Sequence, residues 1–217
     1  MEKVKSQLVD WGVAASTLPG QTETGDRHVF VQLKQGAMIA VVDGLGHGEG
    51  AARAAKIAAE VLERNAKESV INLVRLCHEQ LKPTRGVVMS LARFNSADGT
   101  VTWLGVGNVE GVLLHRDGYG TVSREVLPLR GGVVGDQLPP LLASTVPVSR
   151  GDTLIFVTDG VRADFADALK PGSVQATADA ILARSARGTD DALVLVARYS
   201  GPRKEVPGGR VPDGNGI

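Results

Sequence analysis

Residues 38–48, MIAVVDGLGHG, decide the fold, because an apolar, strand-like run ends there in a carboxylate and three alternating glycines. The first interpretation is a dinucleotide-binding glycine loop opening a helix. Two observations disfavour it. Glu49 occupies the place of the third glycine, and Asp43 lies where a pyrophosphate would approach, so like charges would repel. A carboxylate there suits a cation better, although this stretch alone also fits a plain turn with Asp43 as the helix N-cap.

The same pattern recurs further along the chain. Residues 152–161, DTLIFVTDGV, form a second apolar run that ends in Asp159, while Asp190 and Asp191 precede a third run and Asp26 precedes a fourth. Carboxylates gathered at one sheet edge repel unless cations neutralise them. Because no cysteine cluster or histidine pair stands at ligand spacing, these hard oxygen ligands favour Mg²⁺ or Mn²⁺ over Zn²⁺.

Composition restricts the class of protein. The chain has 217 residues, and its 24 Lys+Arg balance its 24 Asp+Glu, which disfavours a general nucleic-acid or acidic-membrane binder. Its single cysteine, Cys77, excludes an internal disulfide and a cysteine-based zinc site. The N-terminus has no signal-peptide core, and no stretch approaches the roughly 18 apolar residues of a membrane span. We therefore expect a cytoplasmic protein that binds neither nucleic acid nor membrane.

The chain reads as one domain, residues 1–200, followed by a flexible tail, residues 201–217, in which five Gly and three Pro leave little to bury. Helical periodicity predicts helices over residues 49–66, over residues 69–82 with Ser69 as N-cap, and after Ser173. Hairpin-linked strands then favour a mainly antiparallel α+β fold with the helices outside. Strand patterns cover residues 9–15, 28–33, 37–42, 86–94, 100–105, 111–115, 120–127, 153–158 and 192–199.

Three motifs, in this order, resemble those of the PPM family of metal-dependent protein serine/threonine phosphatases: VVDGLGHG (41–48), GDTLIFVTDGV (151–161) and TDDALVLVA (189–197). The short chain has no room for the flap of larger members and is similar to the SpoIIE branch. The resemblance covers about residues 12–199. It implies an αββα sandwich, two stacked antiparallel sheets with helix pairs outside.

The resemblance also implies a centre with two Mn²⁺ or Mg²⁺ ions at one end of the sandwich. Asp43 would bridge both ions, and Gly44 would offer its backbone carbonyl. Asp159 and Asp190 would hold one ion from the far side. Asp26 would bind through water or through a weaker additional ion. Asp191, at a place often held by Asn, would lie outside the ligand shell.

The chain departs from the family pattern at three places. Larger members carry a phosphate-gripping Arg before the first acidic motif, whereas residues 21–24 here contain none. Arg27 either substitutes for it or is a surface residue. Gly25 stands where many members have an acidic residue, which weakens one expected metal site. Leu45 stands where some members have a general-acid histidine, and His47 comes two positions later.

The function implied is hydrolysis of phosphoserine and phosphothreonine on partner proteins by a metal-activated water, with Asp43, Asp159 and Asp190 as the catalytic carboxylates. The small stand-alone members of this branch suggest phosphorylated stressosome proteins with STAS domains as partners. Two alternatives stay open: a PPM-like docking module without efficient hydrolysis, and a hydrolase of a small phosphate ester.

Overall fold

The computed structural model of the chain describes residues 8–116, 122–167, 169 and 172–201. Beyond Gly201 the predicted tail lies outside the described residues. Eleven strands and three α-helices occupy the described part. In chain order they are β1 (Val9–Ser16), β2 (Asp26–Leu33), β3 (Gly36–Gly44), α1 (Glu49–Arg64), α2 (Val70–Leu81), β4 (Val87–Asn95), β5 (Thr100–Val106), β6 (Glu110–Arg116), β7 (Val122–Val126), β8 (Leu129–Arg130), β9 (Ser144–Pro147), β10 (Thr153–Val157), α3 (Val174–Ser185) and β11 (Ala192–Tyr199).

Two stacked sheets form the centre of the molecule. The first has the strand order β1-β11-β10-β6-β7, and the second has the order β2-β3-β4-β5-β8, with β9 also paired to β5. All pairs are antiparallel except the short pair of β5 with β8. The expected α+β sandwich of antiparallel sheets is thus confirmed.

Alternation of side chains along the strands builds the core on both faces of each sheet. On β3, Ile39 and Val41 face the other sheet, whereas Met38, Ala40 and Val42 face the helices, and all five are buried. The continuous apolar run in the sequence is therefore a strand covered on both sides.

Helices cover the two sheets unequally. Helices α1 and α2 pack together on the second sheet, and Ser69 caps α2 by accepting a hydrogen bond from Asn72 N at 3.2 Å. In the described residues the first sheet is covered by α3 and a short 3-10 helix at Ala163–Ala166, rather than by a second pair of long helices. Ser173 caps α3 through Ala176 N.

All nine predicted strands are present, and their described ends coincide with the predicted ones or differ by one or two residues; residues 120 and 121 lie outside the described part. The sequence analysis missed β8 and β9, because these two- and four-residue strands are too short to show a periodic pattern and form only by pairing with β5. Among the described residues, no helix is long and apolar enough to cross a membrane.

Candidate metal centre

Strand ends bring the predicted carboxylates to one end of the sandwich. Asp26 begins β2 and lies directly opposite Asp43 of β3 in the antiparallel register. Asp159 follows the end of β10, and Asp190 precedes the start of β11. Because β10 and β11 are antiparallel neighbours, these two loops meet at the same sheet edge.

A cleft of about 430 Å³ opens between these strand ends. Three of the predicted ligands line it: Asp43, half-buried, Asp159, exposed, and Asp190, half-buried. Asn108, from the loop before β6, donates its side-chain N–H to Asp159 Oδ2 at 2.8 Å. The remaining wall consists of Leu45, Gly46, Val88, Gly107 and Gly131.

Asp26 lies deeper, buried beside the cleft, and a hydroxyl from the other sheet holds it. Thr158 donates its Oγ1 hydrogen to Asp26 Oδ2 at 2.8 Å and accepts one from Leu193 N at 2.9 Å. This link joins the end of β10 to the start of β2. It therefore aligns the two sheets at the point where the carboxylates meet.

Burial and mutual repulsion raise the pKa of both central carboxyls. Burial is the larger cause for Asp43, whose pKa rises to about 8, with the charges of Asp26, Asp159 and Asp190 adding to it. Burial also raises the pKa of Asp26 to about 7, against the opposing effect of the Thr158 hydrogen bond. At neutral pH this cluster is stabilised by a cation that offsets the repulsion.

The donor chemistry fits Mg²⁺ or Mn²⁺, since the lining offers carboxylate and carbonyl oxygens and neither Cys nor His. The Gly44 carbonyl oxygen also lies near Gly25, 3.5 Å from where a Cβ there would be. The carboxylates surround the cleft without closing on a single point. In the described part of the chain, no three His, Cys, Asp or Glu side chains are grouped tightly enough to hold one ion as they stand. The charged cluster is therefore observed, while direct ligation stays a prediction.

Comparison with known proteins identifies the fold family. Residues 34–200, more than half of the chain, match the family model described as Stage II sporulation protein E (SpoIIE). The chain belongs to the SpoIIE family. This confirms the resemblance that the three motifs predicted.

A curated protein and two solved structures are similar to this chain over most of its length. Phosphoserine phosphatase RsbX of Bacillus subtilis (strain 168) is 26% identical over 183 residues, which are 83% of this chain and 90% of RsbX. A crystal structure of RsbX in complex with magnesium superposes with a TM-score of 0.78 at 24% identity, covering 88% of this chain and 96% of that one. A chain from the bacterial stressosome, described as a modular system adapted to control secondary messenger signaling, reaches the same TM-score at 27% identity, covering 88% and 99%.

Asp191 holds the loop before β2 through backbone hydrogen bonds. Its Oδ1 accepts a hydrogen bond from Leu18 N at 2.7 Å, and its Oδ2 accepts one from Gly25 N at 2.6 Å. Both oxygens are thus used to hold the loop that carries Asp26. This arrangement agrees with the expected place of Asp191 outside the ligand shell.

Arg27 braces the same loop. Its Nη1 donates to the carbonyls of Thr24 at 3.2 Å and of Asp26 at 3.1 Å. The guanidinium is therefore partly occupied by backbone, which favours a structural role over that of the missing phosphate-gripping arginine.

Sequence analysis missed two hydrogen bonds at the carboxylate cluster, Thr158 to Asp26 and Asn108 to Asp159. Thr158 directly precedes Asp159 in the second motif, and Asn108 ends the glycine-containing run GVGN (105–108). The sequence therefore shows both residues. Their partners were not visible, because Thr158 and Asp26 are 132 residues apart and Asn108 and Asp159 are 51 apart.

Neither Cys77 nor His115 lines the cleft. Cys77 is buried on α2, and burial raises its pKa to about 12, so its thiol stays protonated at neutral pH. His115 Nδ1 lies 2.9 Å from Asp152 Oδ2 near the opposite end of β10.

The raised pKa values predict an unusual pH dependence of stability. Between about pH 4 and 8 the folded protein keeps protons on Asp26 and Asp43 that the unfolded chain has lost. Stability of the metal-free protein therefore falls as pH rises through this window. We expect a lower Tm in EDTA at pH 8 than at pH 5.5, and a larger stabilisation by Mn²⁺ at pH 8. A Tm in EDTA that rises over the same window would contradict this assignment.

Proposed function

We propose that this protein is a Mn²⁺- or Mg²⁺-dependent protein serine/threonine phosphatase that hydrolyses phosphoserine and phosphothreonine on partner proteins. The observation that carries the proposal is the convergence of Asp43, Asp159 and Asp190 on one cleft from three separate strand ends. Membership of the SpoIIE family and the similarity to a phosphoserine phosphatase support it.

In this proposal Asp43 would hold both ions, with the backbone carbonyl of Gly44 as a further ligand. Asp159 and Asp190 would hold one ion from the first sheet, and Asp26 would bind through water or through a weaker additional ion. When bound, the two ions supply a water of lowered pKa and neutralise the phosphoryl oxygens. Residues 1–200 then form the single phosphatase domain, with residues 201–217 outside it.

The chain's own groups fix the geometry of this centre. Thr158 keeps Asp26 in place from the other sheet, and Asn108 orients the Asp159 carboxylate. Among the described residues that line the cleft there is no Ser, Thr, Cys or His. With the three carboxylates of this lining assigned to the ions, we propose direct hydrolysis by water, without a phosphorylated enzyme intermediate.

We further propose that the substrates are phosphorylated stressosome proteins with STAS domains. The support is the similarity to RsbX and to a chain from the bacterial stressosome. The docking-module alternative is disfavoured, because a buried carboxylate cluster without a use in metal binding costs stability.

The test measures phosphate release with Mn²⁺, with Mg²⁺ and with EDTA. Para-nitrophenyl phosphate reports the chemistry, and phosphorylated STAS proteins are compared with unrelated phosphopeptides. We expect metal-dependent release in each case and a higher kcat/KM on the STAS proteins. No release from any of them would refute the phosphatase, whereas equal kcat/KM on the unrelated peptides would refute only the substrate class.

A further inference from the structure

Arg85 places a guanidinium beside Gly46, a residue of the cleft wall. A Cβ added at Gly46 would lie 3.2 Å from Arg85 Nη1, and one at Gly50 would lie 2.8 Å from Nε and 2.9 Å from Cζ. The side chain therefore lies across Gly50, in the first turn of α1, and reaches Gly46. Because Gly46 belongs to the cleft wall together with Asp43, the guanidinium lies beside a residue of that wall.

Backbone contacts fix the position of residue 85 beside this loop. Leu45 N donates to the carbonyl of Gly86 at 3.2 Å, which ties the chain after Arg85 to the chain after Asp43. Val87 in turn bridges Val134. The base of the Arg85 side chain is thus held between the end of β3 and the start of β4.

The Arg85 guanidinium has no hydrogen-bond acceptor among the described residues. Within the described ranges of the chain, the side chain of Arg85 makes neither a hydrogen bond nor an ion pair, in contrast to Arg27 and Arg162, which are bonded to neighbouring groups. A guanidinium presents five N–H donors in a planar fork that matches two phosphoryl oxygens. Where a carboxylate cluster repels a phosphate dianion, a fixed cation beside the cleft wall lowers this repulsion.

We propose that Arg85 contacts the phosphoryl group of the substrate and holds it over the carboxylate cluster. The inference rests on the proposed function, because it assigns the substrate contact of that same site. The contact also explains the glycine at position 50, because a side chain there would occupy the space in which the guanidinium lies.

The direct test is Arg85→Ala in the full chain, assayed on a phosphorylated substrate protein. Loss of a charge-assisted hydrogen bond predicts a kcat/KM lower by roughly 10- to 100-fold, expressed mainly in KM. Arg85→Lys is expected to recover part of the loss, because it keeps the charge without the fork. Arg75→Ala, on the exposed face of α2, is the matched control and should behave as wild type.

A second variant moves the guanidinium without removing it. Gly50 lies in α1 at an ordinary helical φ, so Gly50→Ala suits the helix but displaces the Arg85 side chain. We expect a smaller rise in KM than in Arg85→Ala, and no additional rise when the two changes are combined. Additive effects in the double variant would overturn the proposed contact.

Two binding measurements separate this inference from the proposed function. Calorimetric Mn²⁺ titration should give wild-type affinity in Arg85→Ala, and a lost affinity would mean that Arg85 only supports the loop, which overturns the proposal. If wild type hydrolyses nothing, the proposed function fails, and titration of inorganic phosphate into the Mg²⁺-loaded protein then decides. Phosphate bound at least tenfold more weakly by Arg85→Ala supports the contact, and equal binding refutes it.

Discussion

Asp43→Asn is expected to lower metal-dependent phosphate release by roughly 10³-fold or more, because two ions that together supply several kcal/mol would share this one carboxylate. The measurement is kcat/KM on a phosphorylated substrate at saturating Mn²⁺. Asp159→Asn should show a loss of similar direction. Asp179→Asn, on the exposed surface of α3, is the control and should keep wild-type turnover.

The same substitution should raise the Tm of the metal-free protein. Asp43 is half-buried among other carboxylates, and burial and repulsion raise its pKa to about 8. A neutral amide of the same shape removes that repulsion. Lost activity with raised metal-free stability is therefore the expected signature of a ligand, whereas near-native Mn²⁺-dependent activity would end the metal-centre assignment.

Gly160→Ala is expected to destabilise the fold by about 3 kcal/mol or more, because the added Cβ would overlap a neighbouring backbone carbonyl. A Cβ at Gly160 would lie 1.9 Å from the carbonyl oxygen of Asp191, and one at Gly44 would lie 2.1 Å from that of Ala51. In the Asp-Gly pairs 43–44 and 159–160, each glycine thus allows a close backbone contact next to a site carboxylate. Urea unfolding measures the effect.

Gly172→Ala provides the matched control for this prediction. Among the described residues, the nearest atom to a Cβ at Gly172 would be Ala176 Cβ at 3.8 Å, and the φ of Gly172 is not in the left-handed region. We expect its free energy of unfolding to stay within about 1 kcal/mol of wild type. If Gly160→Ala changed the free energy of unfolding as little as Gly172→Ala, close backbone packing would not be the reason for a glycine at position 160.

The sequence predicts the strands and the carboxylates at their ends from local patterns, whereas the two stacked sheets are implied by the resemblance to the PPM family. Apolar runs such as residues 37–42 identify the strands, and carboxylates at their ends converge when the strands pair. Contacts across long separations are not readable in this way. The bonds from Asp191 to Leu18 and from Thr158 to Asp26 join residues 173 and 132 positions apart, and only the folded register brings them together.

The position of Arg85 beside the cleft wall is a second feature that the sequence alone does not predict. The sequence analysis looked for a phosphate-gripping arginine just before Asp26, where the family pattern places one, and found only Arg27 next to it. Arg85 stands in a loop after α2, with no motif around it. Its position at the cleft follows from the packing of that loop against Gly46 and Gly50, which is tertiary information.

The Thr158–Asp26 hydrogen bond carries a consequence for how the molecule comes apart. Asp26 and Asp43 come from one sheet, whereas Asp159 and Asp190 lie at strand ends of the other. Neither sheet alone therefore carries the complete set of site carboxylates. A folding intermediate with a single ordered layer would have no turnover. Activity followed during denaturation therefore reports the docking of the layers, and its loss marks their separation rather than fraying of an outer helix.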